Sequence, residues 1–255
     1  MNLSCSIEPG LRYRSKAQIA RVVTESWVAK QMYCAACASD SLTQKPNNFA
    51  GVDFACPKCP SLYQLKSRKT ALTNRIVDAG YKKMIEAIHS EQVPNLVLLQ
   101  YSPSWCVANL ILIPSFFLTE SAIEKRKPLS PTAERANWVG CNILLGNVPE
   151  DGRISIVTNG IAASPSRVRK AYQRVQPLRE LGLKVRGWAL DVLNVVRKLE
   201  KRDLSLVDFY QFEGYLQDLH PHNKNIRPKI RQQLQVLRDL GYLAFEGNGR
   251  YRVLR

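Results

Sequence analysis

No apolar run in the 255-residue sequence is long enough to cross a bilayer. The longest, residues 107–118, is interrupted by Asn109, Pro114 and Ser115. No charged segment followed by an apolar one opens the chain, so export is not expected and a cytoplasmic location is. Internal repeats and low-complexity stretches are lacking. Histidine is scarce, and His89, His220 and His222 lack metal-ligand spacing with other residues. Cysteines number seven, an odd count that argues against a disulfide framework. Acids are few: 21 Asp and Glu stand against 37 Lys and Arg, a net charge of +16.

That excess is spread along the chain. Residues 184–255 carry 14 basic and 8 acidic side chains, and the remainder carries 23 and 13. A basic surface concentrates polyanions and releases their counterions on binding, which points to nucleic acid as the partner. Hydrophobic residues make up 45%, enough for a packed core.

The apolar spacing predicts a helix over residues 15–32, strands over 50–55 and 61–66, and a helix over 74–89. Strands over 95–101 and 105–113 follow, which makes a mixed α/β core. Residues 114–160 hold further strands near 139–145 and 153–157. Residues 161–184 read as a partly helical connector rich in Arg and Lys, lying either near phosphates or as a solvated face. The last seventy residues change rhythm. Helices are expected over 185–199, from Ser205 to 219 with Asp208 completing a capping box, and over 227–240. A hairpin turning at Gly247-Asn248-Gly249 comes last, and three helices with a hairpin make a winged helix. The expected organisation is a mixed α/β domain over 1–183 and a winged-helix domain over 184–255.

Cys34 and Cys37 are separated by two residues, as are Cys56 and Cys59, with eighteen residues between the pairs. Two intervening residues let a tight turn present both sulfurs to one tetrahedral ion, so the pattern predicts a closed, structural zinc site. Four ordinary buried thiols are the other reading. Cys5, Cys106 and Cys141 are expected as core thiols. The second pair lies at the tip of a hairpin whose strands carry Asp53, Gln64 and Lys66. Residues 64 and 66 share a strand face. A carboxylate, an amide oxygen and the Leu65 carbonyl can bind magnesium, with Lys66 orienting the attacking water and offsetting phosphate charge. By spacing alone the cluster also fits solvated polar residues on a strand.

The chain resembles the PD-(D/E)xK nuclease superfamily and, more closely, the DpnI-like methyladenine-dependent restriction endonucleases. The resemblance runs over nearly the whole length. It is carried by Thr24-Glu25, Trp27, both Cys pairs and residues 53–66, 126–133, 138–143, 186–188 and 229–239. It implies magnesium-dependent cleavage of double-stranded DNA at GATC sites with methylated adenines, by a monomer with no obligate protein partner. It places Asp53 and Lys66 in the active site. Gln64 stands where the family has an acid, which should weaken metal binding, and Val52 replaces a proline. Glu25 offers a further carboxylate, or an exposed helix charge.

Methylation adds apolar surface to adenine in the major groove, and an aromatic wall covering it gains about 1 kcal/mol per methyl. Trp138, in a polar setting, is the candidate wall, and the resemblance implies that it touches both methyl groups. From the residues alone it also reads as core. Lys229, Arg231, Gln232 and Gln235, with Arg238, line the polar face of the third winged-helix helix, where Gln and Arg suit base edges and Lys suits phosphates. Arg250 and Arg252 on the wing are candidates for backbone contact, and Trp188 reads as core. A winged helix used for protein contacts is the alternative. The rival to a nuclease is a non-catalytic methyl-DNA-binding regulator in which Gln64 marks lost activity.

Overall fold

The computed structural model describes residues 1–46 and 51–255. Thr24 Oγ1 donates to Ser67 Oγ at 3.0 Å and joins the first helix, α1 (Lys16–Gln31), to the strand that carries the candidate site. The elements that follow are β1 (Thr43–Gln44), β2 (Phe54–Ala55), β3 (Leu62–Arg68), β4 (Arg75–Gly80), α2 (Tyr81–His89), β5 (Asn95–Tyr101) and β6 (Val107–Ile113). Then come β7 (Ile123–Lys125), β8 (Gly140–Leu144), β9 (Ile154–Thr158), β10 (Ile161–Ala162) and α3 (Pro165–Val175). Seven strands form one sheet in the order β1-β2-β3-β5-β6-β9-β10. β3 and β5 run parallel and the other pairs are antiparallel. The continuous apolar run of β5 suits its central place, since Leu96, Val97, Leu98 and Leu99 are all buried. A second sheet has the order β4-β8-β7.

The helix expected over 74–89 is a strand followed by a helix. Along β4, buried Ile76 and Asp78 alternate with exposed Arg75, Val77 and Ala79, a two-residue period that pairs with β8. Gly80 then caps α2, which buries Met84 and Ile88. Strand β2 is shorter than the expected 50–55: Ala50 lies outside the described residues, and Asp53 sits just before the strand. Its N–H still donates to the Tyr63 carbonyl at 2.9 Å, and its own carbonyl accepts from Lys45.

The C-terminal part consists of α4 (Leu183–Lys198), β11 (Asp203–Ser205), α5 (Leu206–Tyr210), α6 (Glu213–Leu219), α7 (Ile226–Asp239), β12 (Leu243–Gly247) and β13 (Arg250–Val253). Ser205 and Asp208 complete the expected capping box. The single helix expected from Ser205 to 219 is two, because the chain turns at Gln211 and Phe212. β11 adds a third strand to the hairpin, giving the order β11-β13-β12 of a winged helix.

Helix α4 is buried on all sides from Trp188 to Val196. Such a helix lies between two bodies rather than on a surface. Its polar residues tie it to the first part of the chain. Asp191 Oδ1 accepts from Ser121 Oγ at 2.7 Å, Asn194 donates to the Gly146 carbonyl, and Arg197 makes a two-point ion pair with Asp151. His220, given no role from sequence, lies 2.7 Å from Asp191 and stacks on Trp188 at 3.6 Å between ring centroids. Trp188 is therefore core, as expected.

Candidate active site and zinc cluster

The four cysteine sulfurs all lie within 4.8 Å of one another. Cys34 Sγ is 3.6 Å from Cys59 Sγ, and Cys37 Sγ is 3.5 Å from Cys56 Sγ. Bonds of roughly 2.3 Å to a tetrahedral zinc would separate the sulfurs by about 3.8 Å, so the cluster fits the ion. Burial pushes the Cys34 thiol up to about 12, which makes its ionisation costly without a cation. Burial also opposes ionisation of Cys56, but the Lys58 amide and the neighbouring sulfurs draw it down to about 7. The Lys58 N–H donates to Cys56 Sγ at 3.3 Å, and the buried Tyr63 hydroxyl lies 3.1 Å from Cys34 Sγ. Tyr63 is on β3, so the cluster is fastened to that strand.

Arg169 completes the knuckle. It donates to the carbonyls of Cys34 and Ser39, pairs with Asp40 at 2.8 Å, and lies over the Tyr33 ring. The connector arginine that looked available to phosphate thus serves the cysteine loop.

From this anchored end, β3 carries Leu65 and Ser67 toward α1, while the alternation of the strand turns Gln64 and Lys66 the other way. Lys66 Nζ lies 2.6 Å from Asp78 Oδ1, and Gln64 Nε2 donates to the same oxygen at 3.3 Å. Asp53 Oδ2 accepts from the Leu65 N–H at 2.6 Å. Asp53 shares no hydrogen bond with Gln64 or Lys66 among the described residues. Glu25 is buried on α1, where Arg21 pairs with it at 3.0 Å and Gln44 donates to it at 3.2 Å. Burial raises the Glu25 carboxyl above its ordinary range; Arg21 opposes the rise and the nearby Asp53 charge adds to it. The structure thus brings Gln64 to Lys66 through Asp78, and Asp53 to Leu65 and toward Glu25.

Asp78 was missed from sequence because residues 74–89 read as one helix. Its signal was the two-residue alternation of Arg75-Ile-Val-Asp-Ala-Gly. In the β4–β8 register Asp78 faces Cys141 and Gly80 faces Gly140. Cys141 is a buried thiol that donates to the Ala79 carbonyl, and burial pushes it up to about 11, with Asp78 adding to the rise. Trp138, 36% exposed, lies just before β8 with its ring over Gly140 and close to Gly80. It is a surface ring and not core.

On α7, Arg231, Gln232 and Gln235 are exposed. Lys229 is half-buried, 2.8 Å from Gln232 Oε1 and over the Trp188 ring. Arg252 on the wing is held by Asp203 and Glu246. Cys5 is buried as expected, but Cys106 is exposed and is not a core thiol.

Two family models match nearly all of this chain. Residues 1–181 match the model of DpnI, the Dam-replacing family, and residues 184–253 match the Dam-replacing HTH domain. The chain belongs to the DpnI family. Membership supports a methylation-dependent restriction endonuclease, and the HTH domain supports DNA binding. The fold agrees with a DpnI-like chain in its large mixed sheet, C-terminal helix-turn-helix part and zinc-compatible cysteine cluster. No helix among the described residues is long and apolar enough to cross a membrane.

Proposed function

We propose that this DpnI-family chain is a methyl-directed type II restriction endonuclease, which hydrolyses double-stranded DNA at GATC sites whose adenines are methylated. Residues 1–183 form the endonuclease domain with its zinc, and 184–255 form the DNA reader. The protein works as a monomer, needs no obligate protein partner, and acts in the cytoplasm. The reading is carried by one observation beside family membership. Lys66 contacts Asp78 on β4, and Trp138 lies over Gly80 and Gly140, the paired glycines at the end of β4 and β8. A lysine suited to phosphate and a ring suited to a methyl group therefore stand on one continuous piece of structure.

Asp53, the Gln64 amide oxygen and the Leu65 carbonyl would hold magnesium. The residues fit: hard cations take oxygen ligands, Asp53 already meets the Leu65 N–H, and a strand residue turns its N–H and C=O to the same edge. A buried oxygen of Asp78, Oδ2, also lacks a partner. When bound, magnesium would polarise the scissile phosphate and stabilise the leaving oxygen. Lys66 orients the attacking water and offsets phosphate charge. Trp138 covers both adenine methyl groups, and Arg231, Gln232, Gln235 and Lys229 engage bases and phosphates from the winged helix.

The test is cleavage of adenine-methylated and unmethylated plasmid by the purified protein with magnesium. Fragmentation of the methylated plasmid alone, at GATC, is the expected result. Tight methyl-selective binding without nicks would favour the non-catalytic regulator, and cutting of both plasmids would refute the specificity.

A further inference from the structure

Asp78 belongs to no recognised spacing, yet it stands at the junction of the candidate site. Its side chain is 1% exposed. Oδ1 takes both Lys66 Nζ and Gln64 Nε2, while Oδ2 is buried without a hydrogen-bond partner. A buried carboxylate oxygen left unpaired is strongly disfavoured, so this atom is suited to a partner from outside the protein.

The local charges identify that partner. Asp53 contributes one negative charge, Lys66 one positive charge and Gln64 none, so these three alone give a divalent cation no net attraction. Glu25, the other acid near Asp53, is occupied by Arg21 and Gln44. Among the described residues near Gln64 it is Asp78 that restores a net negative charge, and its free oxygen can ligate magnesium or accept a hydrogen bond from a water in its shell.

We propose that Asp78 supplies the divalent-cation site with the carboxylate charge that Gln64 does not bring, through Oδ2. The assignment rests on the nuclease reading above. It makes Asp78 a cation-binding residue, and not merely a brace for Lys66.

The test measures Mn²⁺ binding to the full-length protein by electron paramagnetic resonance, without DNA, beside cleavage of methylated plasmid. Ligand charge sets the affinity of such sites, so Asp78→Asn should weaken Mn²⁺ binding by about tenfold or more and suppress cleavage. Binding of methylated duplex in EDTA should be unchanged. Adding the acid at the other position, in the Gln64→Glu/Asp78→Asn double variant, should recover Mn²⁺ affinity to within about threefold of the parent, which a brace for Lys66 would not do. Lys66→Met, which frees Asp78 of its counter-charge, should tighten Mn²⁺ binding while abolishing cleavage. It carries the test should Asp78→Asn fail to fold. Unchanged Mn²⁺ affinity in Asp78→Asn, no recovery in the double variant, or unchanged affinity in Lys66→Met would each overturn the proposal. A parent that binds and cuts beside an Asp78→Asn chain of equal affinity overturns this assignment alone. A parent that binds no Mn²⁺ overturns the nuclease reading with it.

Discussion

Trp138 rests on Gly140 so closely that a Cβ there would lie 2.8 Å from ring carbons Cη2 and Cζ3. The ring sits where it does because the glycine has no side chain. Gly140→Ala must displace the ring, since the added Cβ would overlap it. We expect this variant to keep its affinity for unmethylated DNA and to lose preference for methylated DNA. Trp138→Ala should lose it more fully. Two methyls at about 1 kcal/mol each correspond to roughly a 10- to 30-fold preference. Dissociation constants for matched duplexes with and without methyl groups, measured on the isolated first domain if it folds and otherwise on the whole chain, would show it. An unaltered ratio in Trp138→Ala would remove the ring from the recognition scheme.

The four-cysteine cluster fastens the tip of the β2–β3 turn to the end of α1 and, through Arg169, to α3. Cys56→Ser should release zinc and loosen all three attachments. A loss of about 3 kcal/mol or more would lower Tm by roughly 10 °C in a protein of this size. Metal analysis and calorimetry check it. Zinc content and melting unchanged from the parent would refute a structural ion here.

Asp53 accepts from the Leu65 amide, and the neighbouring Lys66 on the same strand contacts Asp78. Asp53→Ala and Lys66→Ala should each lower cleavage by at least about a hundredfold while sparing DNA binding. Single-turnover cleavage beside a gel-shift titration separates these effects. Parental cleavage by either variant would displace the site assignment.

The features legible in the sequence are those written in local spacing. Two Cys-x-x-Cys pairs specified the cluster, and the Ser205–Asp208 capping box specified a helix start, because each needs only a few neighbouring residues. Asp78 was not legible, because Ile76, Met84 and Ile88 fall at helical intervals although they belong to two elements. What makes residues 75–80 a strand is β8, some sixty residues away. The break of α5 from α6 at Phe212, and the capture of Arg169 by the cysteine loop, likewise depend on tertiary partners that no local window contains. Charge counts could not separate Arg252, bound by two acids, from Arg231, which is exposed on α7.

The capping box also sets a pH dependence. Lys201 and Ser205 hold the Asp208 carboxyl down at about 2, below its ordinary value of 3.8. The folded state therefore binds this proton less readily than the unfolded chain. The stabilisation is complete above the unfolded value and is lost as pH falls through the window from 3.8 to about 2. Asp208→Ala should cost about 1 kcal/mol at neutral pH and nearly nothing at the bottom of that window. Urea denaturation across the range checks this. A constant difference between parent and variant would mean that the charge is not what stabilises the helix start.

The basic residues of the winged helix differ in what they already hold, and this should separate their roles on DNA. Arg252 is committed to Asp203 and Glu246, Arg227 to Glu213, and Arg238 to Asp239. Arg231 is exposed on α7 and donates to the Tyr210 hydroxyl at 3.2 Å, with no ion pair to an acid among the described residues. A cation with no acidic partner loses little on moving to a phosphate, whereas a paired one must first break its ion pair. Arg231→Ala should therefore flatten the dependence of log affinity on log salt by about one unit, and Arg252→Ala should barely alter it. Gln232→Ala and Gln235→Ala remove no charge, so they should leave that slope intact and instead narrow the gap between GATC and unrelated duplexes. Titrations at several salt concentrations resolve the three behaviours. Equal slopes for the Arg231 and Arg252 variants would show that α7 does not lie against the DNA backbone.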